Sequence, residues 1–364
     1  MLKVNKIFSE SDKITYASDN IEITDGSIDC TFGCNPYGCP KEVISEAQKI
    51  SPDNISDYPH SQIAYNAIID YWKDYCQLDK QNIVLCDGSI SGIYLINRIF
   101  SAEGAKVLGY TPQFSDYVYN AKVNGIEYVS YDMDKSNNYK FDADTFINMI
   151  RSDISLIYID NPNNPTGQTI SIEDIHRIVV KAHSMDIAVV IDEAYADFIS
   201  NSESAVQFLE KYRNLIVIKT MSKGFALAGV RAGYILSDRP LAHCLSTINN
   251  PYTIGEISRK MIAEALKHKD SIDENAIEFA SEKSQINNVL QGPLHMAASD
   301  MRIPIFMVYH EDSSIDLQKI LAKNKIITLD GASFPHLNKN AVRIRLPRSD
   351  EFPKLLDALK QSNI

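Results

Sequence analysis

Seven short apolar runs alternate with helical patterns between residues 83 and 236, and this alternation constrains the fold more than any other feature. The runs are 83–86, 106–109 and 127–130, followed by those ending at Ile159, Ile191, Ile218 and Leu236. Strand–helix alternation at this spacing is typical of βαβ units, whose strands lie side by side in a mainly parallel sheet. The sequence therefore predicts an α/β protein built on a mainly parallel seven-stranded sheet.

The pattern changes twice along the chain. Residues 1–35 show little regular pattern and are predicted to form an N-terminal arm, whereas 36–265 form a large domain. From 266 to 364, a charged helical stretch precedes apolar runs at 303–309 and 341–346. Strands between helices at this end predict a small α+β domain, and a chain of 364 residues has room for both domains.

The composition of the chain limits the classes of molecule that it can bind. A net charge of −11 argues against nucleic acid and against an anionic membrane surface. No apolar stretch approaches the roughly 18–20 residues that span a bilayer, and the N-terminus lacks the apolar segment of a secretory signal. Cys30, Cys34 and Cys39 form no Cys-x-x-Cys pair and have no histidine nearby. We therefore expect a cytoplasmic protein with free thiols and no metal site.

A lysine follows one of the buried strands. The apolar run 215–218 leads into the sequence Thr-Met-Ser-Lys-Gly-Phe at 220–225, and Arg231 stands eight residues after Lys223. Open α/β sheets bind ligands at the carboxyl ends of their strands. A lysine amine held there, partly desolvated and near another cation, has a lowered pKa and can condense with an aldehyde. That aldehyde is most often pyridoxal 5'-phosphate (PLP).

Two further motifs stand upstream of this lysine. The sequence Asn-Pro-Asn-Asn-Pro-Thr-Gly at 161–167 follows an apolar run, and its prolines and glycine form a turn that ends the strand. A second run, 188–191, leads directly into Asp192 and Glu193. A buried aspartate at a strand end needs a cationic partner, and a protonated pyridine nitrogen is a suitable one.

Together the three motifs resemble those of the fold-type-I PLP enzymes, the aspartate-aminotransferase superfamily. Within it, the chain is most similar to the branch of histidinol-phosphate aminotransferases and threonine-phosphate decarboxylases. The likeness extends from residues 35–38 to 342–344. It implies that Lys223 bonds to PLP and serves as the general base. Tyr58 aligns with a tyrosine that reaches the cofactor phosphate of the neighbouring subunit, which implies a homodimer.

The activity implied by the resemblance is transfer of the amino group of an L-amino acid or related amine to a 2-oxo acid. An α-decarboxylase is the alternative, because the cofactor motifs are common to both reactions. A regulatory PLP-binding domain on this fold would be expected to carry a DNA-binding extension, and the acidic charge of the chain does not support one.

The resemblance also assigns residues to the cofactor phosphate. A phosphate cup is expected at the start of a helix, where backbone amides and an arginine bind anions. Its residues are Gly88, Ser89 and Ile90, completed by Thr220, Ser222 and Arg231 from the lysine loop. The small, apolar surroundings of Arg231 predict that it has a buried anion partner. Relatives usually carry an acidic residue at the position of Ser91, so part of the local network differs here.

Contacts to the cofactor ring follow from the same resemblance. Asp192 is expected to keep the pyridine nitrogen protonated. Tyr195 and Asn164 are expected to hydrogen-bond the 3'-oxygen of the ring. Phe114 is the expected stacking residue, and Tyr117, one helical turn further on, is the alternative.

The substrate side is predicted from the C-terminal strand and the N-terminal segment. Arg343 matches the arginine that binds the α-carboxylate in the family, and a bidentate arginine suits a carboxylate. Arg345 lies on the same face of a strand two residues later, and Arg348 follows. Asn35 and Tyr37 are expected to line the substrate pocket.

One position departs from the branch that binds phosphorylated substrates. There, an arginine on the strand before the last, just ahead of an aspartate, binds the substrate phosphate, whereas the predicted strand 325–330 carries Leu329 at that place. Leucine offers no donor. Either Arg345, Arg348 or His336 compensates, or the substrate bound by this chain is not phosphorylated.

Overall fold

The computed structural model describes Ile7 and residues 25–362. Most of the predicted N-terminal arm, residues 1–35, therefore lies outside the described residues. The strands are β1 Ile28–Asp29, β2 Ile83–Cys86, β3 Lys106–Thr111, β4 Glu127–Asp132, β5 Leu156–Asp160, β6 Ala188–Asp192, β7 Leu215–Thr220, β8 Gly233–Ser237, β9 Leu294–Met296, β10 Ile305–His310, β11 Ile326–Ile327, β12 Leu329–Asp330 and β13 Ala341–Arg345.

Helices cover the strands and join them. They are α1 Lys41–Ala47, α2 Asp53–Ser56, α3 Ile63–Trp72, α4 Gly88–Ile99, α5 Ser115–Val123, α6 Ala143–Asn148, α7 Ile172–His183, α8 Arg239–Ile248, α9 Glu256–Ala265, α10 Lys269–Val289, α11 Leu317–Lys323 and α12 Phe352–Gln361. None of the described helices is both long and apolar enough to cross a membrane.

The large sheet confirms the predicted architecture. Its seven strands within the described residues lie in the order β2-β8-β7-β6-β5-β3-β4. All neighbours are parallel except at β8, which runs antiparallel to both β2 and β7. The α/β fold with a mainly parallel seven-stranded sheet is therefore present as predicted from the alternation of apolar runs.

Both faces of the large sheet are buried, which explains why its central strands are apolar without alternation. In β6, Val189 and Ile191 face one hydrophobic core, whereas Val190 faces the core on the opposite side. Helix α7 covers the first face with one apolar stripe, and its N-cap is the Ser171 side chain, which accepts from the backbone of Asp174. Successive crossovers of this kind bring the carboxyl ends of β5, β6 and β7 to one edge.

The C-terminal region forms a second, antiparallel sheet in the order β12-β13-β10-β9. The run 325–330, expected as one strand, is divided in two: β11 pairs in parallel with β1, and β12 pairs with β13. Thr328 separates the two pairings. The division into domains at residue 266 stays a prediction, and the helix boundary between α9 and α10 falls at the same place.

Candidate active site

A cavity of about 310 Å³ opens at the carboxyl edge of the large sheet. Its walls come from the ends of β5, β6 and β7 and from the first turns of α4 and α5. All the residues predicted to bind the cofactor, except Tyr58, line it: Gly88, Ser89, Ile90, Phe114, Asn164, Asp192, Tyr195, Thr220, Ser222, Lys223 and Arg231.

The first turn of α4 forms the floor for an anion. Gly88 has a φ of +70°, and a Cβ there would lie 2.7 Å from Nη2 of Arg231. The N-cap residue Asp87 makes no side-chain capping hydrogen bond within the described chain. Backbone amides at such a helix start point toward the cavity and attract negative charge. The positive φ favours glycine here, and any larger residue would also displace the guanidinium of Arg231 from its present position.

The lysine loop lies opposite this turn. The Thr220 hydroxyl donates to Ser222 Oγ at 3.0 Å, and the Lys223 amine stands 5.6 Å from the centre of the Tyr195 ring. The side chain of Arg231 is 49% exposed, and its nearest carboxylate is Asp87, with Nε 3.5 Å from Oδ1. Arg231 is thus half-exposed rather than buried, and its role as the partner of an anion in this cavity stays a prediction.

Asp192 is buried at the opposite end of the cavity. Its carboxylate accepts a hydrogen bond from the Tyr117 hydroxyl at 2.8 Å and another from the backbone of Ala194 at 3.0 Å. Burial raises the pKa of Asp192 to about 7, although the hydrogen bond from Tyr117 acts in the opposite direction. A cation placed beside this carboxylate would stabilise its ionised form.

The same contacts distinguish the two aromatic residues considered for stacking. The Tyr117 ring stacks on Tyr158 with 4.6 Å between ring centres, and its hydroxyl is bonded to Asp192. Phe114 is only partly buried and lines the cavity. Both residues line the cavity, and Phe114 stays the predicted stacking residue because the ring and hydroxyl of Tyr117 are already engaged with Tyr158 and Asp192.

The residues predicted to bind substrate do not line this cavity. Arg343 is fully buried, and its Nη1 donates to Asn164 Oδ1 at 3.1 Å, while Nη2 donates to the carbonyl of Thr31. Arg345 donates to backbone carbonyls, including that of Phe32 at 3.0 Å. Arg343 thus contacts the cavity wall through Asn164, and Arg345 holds the N-terminal segment against β13.

Asn35, Tyr37 and Tyr58 also lie outside the cavity lining. The Asn35 side chain donates to the carbonyl of Gly224 at 3.1 Å, next to the lysine, and the Tyr37 hydroxyl lies 2.5 Å from Ser349 Oγ. Tyr58 is 69% exposed and stacks on Tyr252 with 4.6 Å between ring centres. The N-terminal segment is therefore tied to the lysine loop, whereas Tyr58 does not line this cavity.

Sequence reasoning missed several residues of the cavity wall. Phe32, Cys34, Asp116 and Asp160 all line it. Asp160 ends an apolar run just as Asp192 does, which is the signal that could have identified it. Among the described residues no group of three His, Cys, Asp or Glu could hold a metal, and the six cysteines are free thiols.

Comparison with known proteins identifies the class to which this chain belongs. Residues 28–359 match the family of class I and II aminotransferases, and the chain is a member of that family. It is 31% identical to the histidinol-phosphate aminotransferase of Ruminiclostridium cellulolyticum over 334 residues, which cover 89% of each chain. The protein is thus a PLP-dependent aminotransferase of fold type I, as the three motifs predicted.

Solved structures agree with the fold. The histidinol-phosphate aminotransferase from Clostridium acetobutylicum superposes with a TM-score of 0.79 at 26% identity, over 92% of this chain and 99% of the other. An L-threonine-O-3-phosphate decarboxylase from Porphyromonas gingivalis has a TM-score of 0.76 at 17% identity, over 92% of this chain and 98% of the other, and shares the fold.

The residues of the cavity fit PLP. A phosphate would be bound by the uncapped backbone amides at the start of α4, the hydroxyls of Thr220 and Ser222, and Arg231. The buried carboxylate of Asp192 suits a protonated ring nitrogen. Lys223 supplies the amine, and the cofactor supplies an electron sink for negative charge at the substrate α-carbon.

Replacing Gly88 by alanine should weaken PLP binding by at least tenfold. The new Cβ would meet the Arg231 guanidinium at 2.7 Å, and alanine is strained at a φ of +70°. Fluorescence titration of the full chain with PLP measures the change. Gly104 has a φ of +76° with open space around it, so Gly104→Ala is the matched control for strain alone. Equal PLP affinity in wild type and Gly88→Ala would contradict the assigned cup.

Proposed function

We propose that this aminotransferase moves the amino group of an L-amino acid or related amine to a 2-oxo acid, and that Lys223 carries the reaction. The observation that supports this most directly is that Lys223, Asp192 and the Gly88 turn share one cavity. An amine, a carboxylate and an anion cradle are the three groups that the cofactor's aldehyde, ring nitrogen and phosphate require. Lys223 would take the proton from the substrate α-carbon and deliver it to the carbon that was the aldehyde carbon of the cofactor.

The other cavity residues orient the reacting groups. Ser89, Ile90, Thr220, Ser222 and Arg231 are proposed to hold the phosphate. Tyr195 and Asn164 are proposed to hydrogen-bond the ring oxygen, with Phe114 covering the ring face. Asn164 accepts a hydrogen bond from Arg343, so the α-carboxylate site proposed at Arg343 lies directly beside the ring site.

A homodimer is proposed because Tyr58 is exposed and does not line the cavity of its own chain. Its ring is held by Tyr252, and a neighbouring subunit could receive the hydroxyl at its phosphate cup. A cytoplasmic location is proposed from the acidic composition and the reduced cysteines.

A half-reaction tests the proposed chemistry. The PLP-loaded protein is mixed with single amino donors in the absence of a 2-oxo acid, and the visible spectrum and the products are followed. We expect one donor class to convert the cofactor to its amine form with one equivalent of 2-oxo acid. Release of carbon dioxide in place of the 2-oxo acid would instead support the decarboxylase.

The surroundings of Arg343 favour an unphosphorylated substrate. Leu329 and Met307 pair with Arg343 from the strands on either side of β13, so all three side chains lie on one face of the small sheet. Leu329 is buried in an apolar cluster that includes Met307 and Phe334. The apolar side chains of this cluster offer a phosphate dianion no donor to replace its water.

Histidinol phosphate should therefore be no better a donor than histidinol for the wild-type protein. Replacing Leu329 by arginine should raise kcat/KM for histidinol phosphate selectively, by about ten- to a hundredfold, because a charged hydrogen bond contributes roughly 1.5–3 kcal/mol. Steady-state kinetics with the two donors measures the ratio, and Leu329→Gln controls for polarity without charge. A clear wild-type preference for histidinol phosphate would contradict this substrate proposal.

A further inference from the structure

Asp160 and Asp192 stand side by side at the edge of the sheet that carries the cavity. Asp160 is the last residue of β5 and Asp192 the last of β6, and the two pair directly in the parallel ladder. Paired residues of neighbouring parallel strands project to the same side of a sheet. Both carboxylates are buried, with 4% and 3% of the residue exposed, and both line the cavity.

The Asp160 carboxylate is held in one position by donors from three segments. It accepts from the Tyr110 hydroxyl at 2.7 Å and from Gln113 Nε2 at 2.8 Å. It also accepts from the backbone of Asn164 at 2.9 Å and from Asn163 Nδ2 at 3.2 Å. Burial raises the pKa of Asp160, and these hydrogen bonds oppose that rise because they favour the ionised form of the carboxylate.

We propose that Asp160 is a further positioning residue of the cofactor site, which places a second negative charge beside Asp192 and fixes the turn that presents Asn164. This inference rests on the proposed role of Asp192 as the partner of the ring nitrogen. The ionised forms of two neighbouring carboxylates are stabilised when a cation lies beside them in the cavity. Asp160 therefore strengthens the preference of this edge for a protonated nitrogen.

The other titratable groups around Asp192 add less like charge than Asp160, and Glu193 is the next contributor. Tyr117 from α5 and Tyr158 from β5 face it as neutral hydroxyls, because burial raises the pKa of both well above the ordinary value. Cys86 from β2 is likewise buried as a neutral thiol, since burial raises its pKa to about 12. Glu193 follows Asp192 but is bonded to Ser204 and Lys219 away from the cavity.

The negative charge of Asp160 and the burial of Asp192 both raise the pKa of Asp192. Burial is the larger cause of its raised pKa of about 7, and the charge of Asp160 adds to it. In the cofactor-free chain, the folded state thus holds this proton more tightly than the unfolded state, where an aspartate titrates near about 4. The contribution of Asp192 to folding stability is therefore present at low pH and is lost as the pH rises from about 4 to about 7.

The test compares the free energy of unfolding of the full cofactor-free chain with that of Asp192→Asn from pH 5 to 8.5. The difference between the two free energies should fall as the pH rises and level off near pH 7, at the midpoint of the Asp192 titration in the folded chain. In an Asp160→Asn background, the same difference should level off about one pH unit lower, because the neighbouring charge is gone. Asp160→Ser is the second variant, in case the asparagine amide disrupts the turn. Asp116→Asn removes a carboxylate from the same cavity that is not paired with Asp192, and should leave the midpoint unchanged.

An unchanged midpoint in the Asp160 variants, or an equal shift in Asp116→Asn, would overturn the proposal. A wild-type difference that does not fall between pH 5 and 8.5 would also overturn it, even if neither Asp160 variant folds. The readout needs no cofactor and no turnover. Failure would therefore leave the aminotransferase reaction at Lys223 unaffected, whereas loss of the half-reaction would not alter these midpoints.

Discussion

Replacing Lys223 by alanine should remove the visible absorption of the lysine-bound cofactor and lower turnover below detection. The amine at this position is the group that bonds to PLP and moves the α-proton, and a methyl side chain can do neither. The chain should still fold, because Lys223 lies at the cavity wall rather than in the apolar core. Absorbance spectra of the purified variant with added PLP, together with kcat/KM for the best donor, measure both effects.

Lys223→Arg is the matched control for this result. Arginine keeps the positive charge in the cavity but cannot form the covalent bond, so its visible spectrum should match that of Lys223→Ala. Turnover in Lys223→Ala within tenfold of the wild-type rate would show that another group performs the chemistry.

Asp192→Asn should lower kcat/KM by two to three orders of magnitude, in the range found when one stabilising group of an active site is removed, about 10²–10³. The amide is nearly the same size and can keep the hydrogen bond from Tyr117, but it carries no charge to hold the ring nitrogen protonated. Steady-state kinetics measures the loss, and circular dichroism checks that the fold is retained.

Glu193→Gln removes the neighbouring carboxylate, which is bonded to Ser204 and Lys219 rather than turned to the cavity. It should affect stability more than the rate constants at saturating PLP. If Asp192→Asn were as active as wild type, the carboxylate would have a role other than the one assigned here.

The sequence predicts the seven-stranded sheet well because its signals are local. Strands such as β6 read as uninterrupted apolar runs, since both faces of the sheet are covered by helices. The reversed direction of β8 was not predictable in the same way. Its sequence is as apolar as that of its neighbours. The direction of a strand depends on the end of the sheet at which the preceding loop enters it.

Short strands of the small domain were harder to predict. The pairing of β1 with β11 joins residues some 300 positions apart, and two-residue strands carry no periodic pattern. The run 325–330 therefore read as one strand, although Thr328 separates two different partners. β9 was missed for the same reason, since three residues are too few for alternation to show.

The residues of the site also differ in how far the sequence predicts them. Residues at the strand ends, such as Asp192 and Lys223, were predictable because topology alone brings carboxyl ends together. The contacts of Arg345 were not, because its donors are used by the backbone of the N-terminal segment, which only the folded chain brings near. Asp160 was not predicted because the Asn-Pro turn that follows it directly already explains the end of the strand. Its position at a strand end is nevertheless the same as that of Asp192.

Borohydride reduction of the PLP-loaded wild-type protein, followed by peptide mapping, tests the central claim most directly. Reduction makes the bond between lysine and cofactor permanent, so the labelled peptide identifies the lysine. We predict a single labelled peptide that contains Thr220 to Phe225, with the label on Lys223. A label on any other lysine, or no stable label at all, would contradict the assignment of this cavity as the cofactor site.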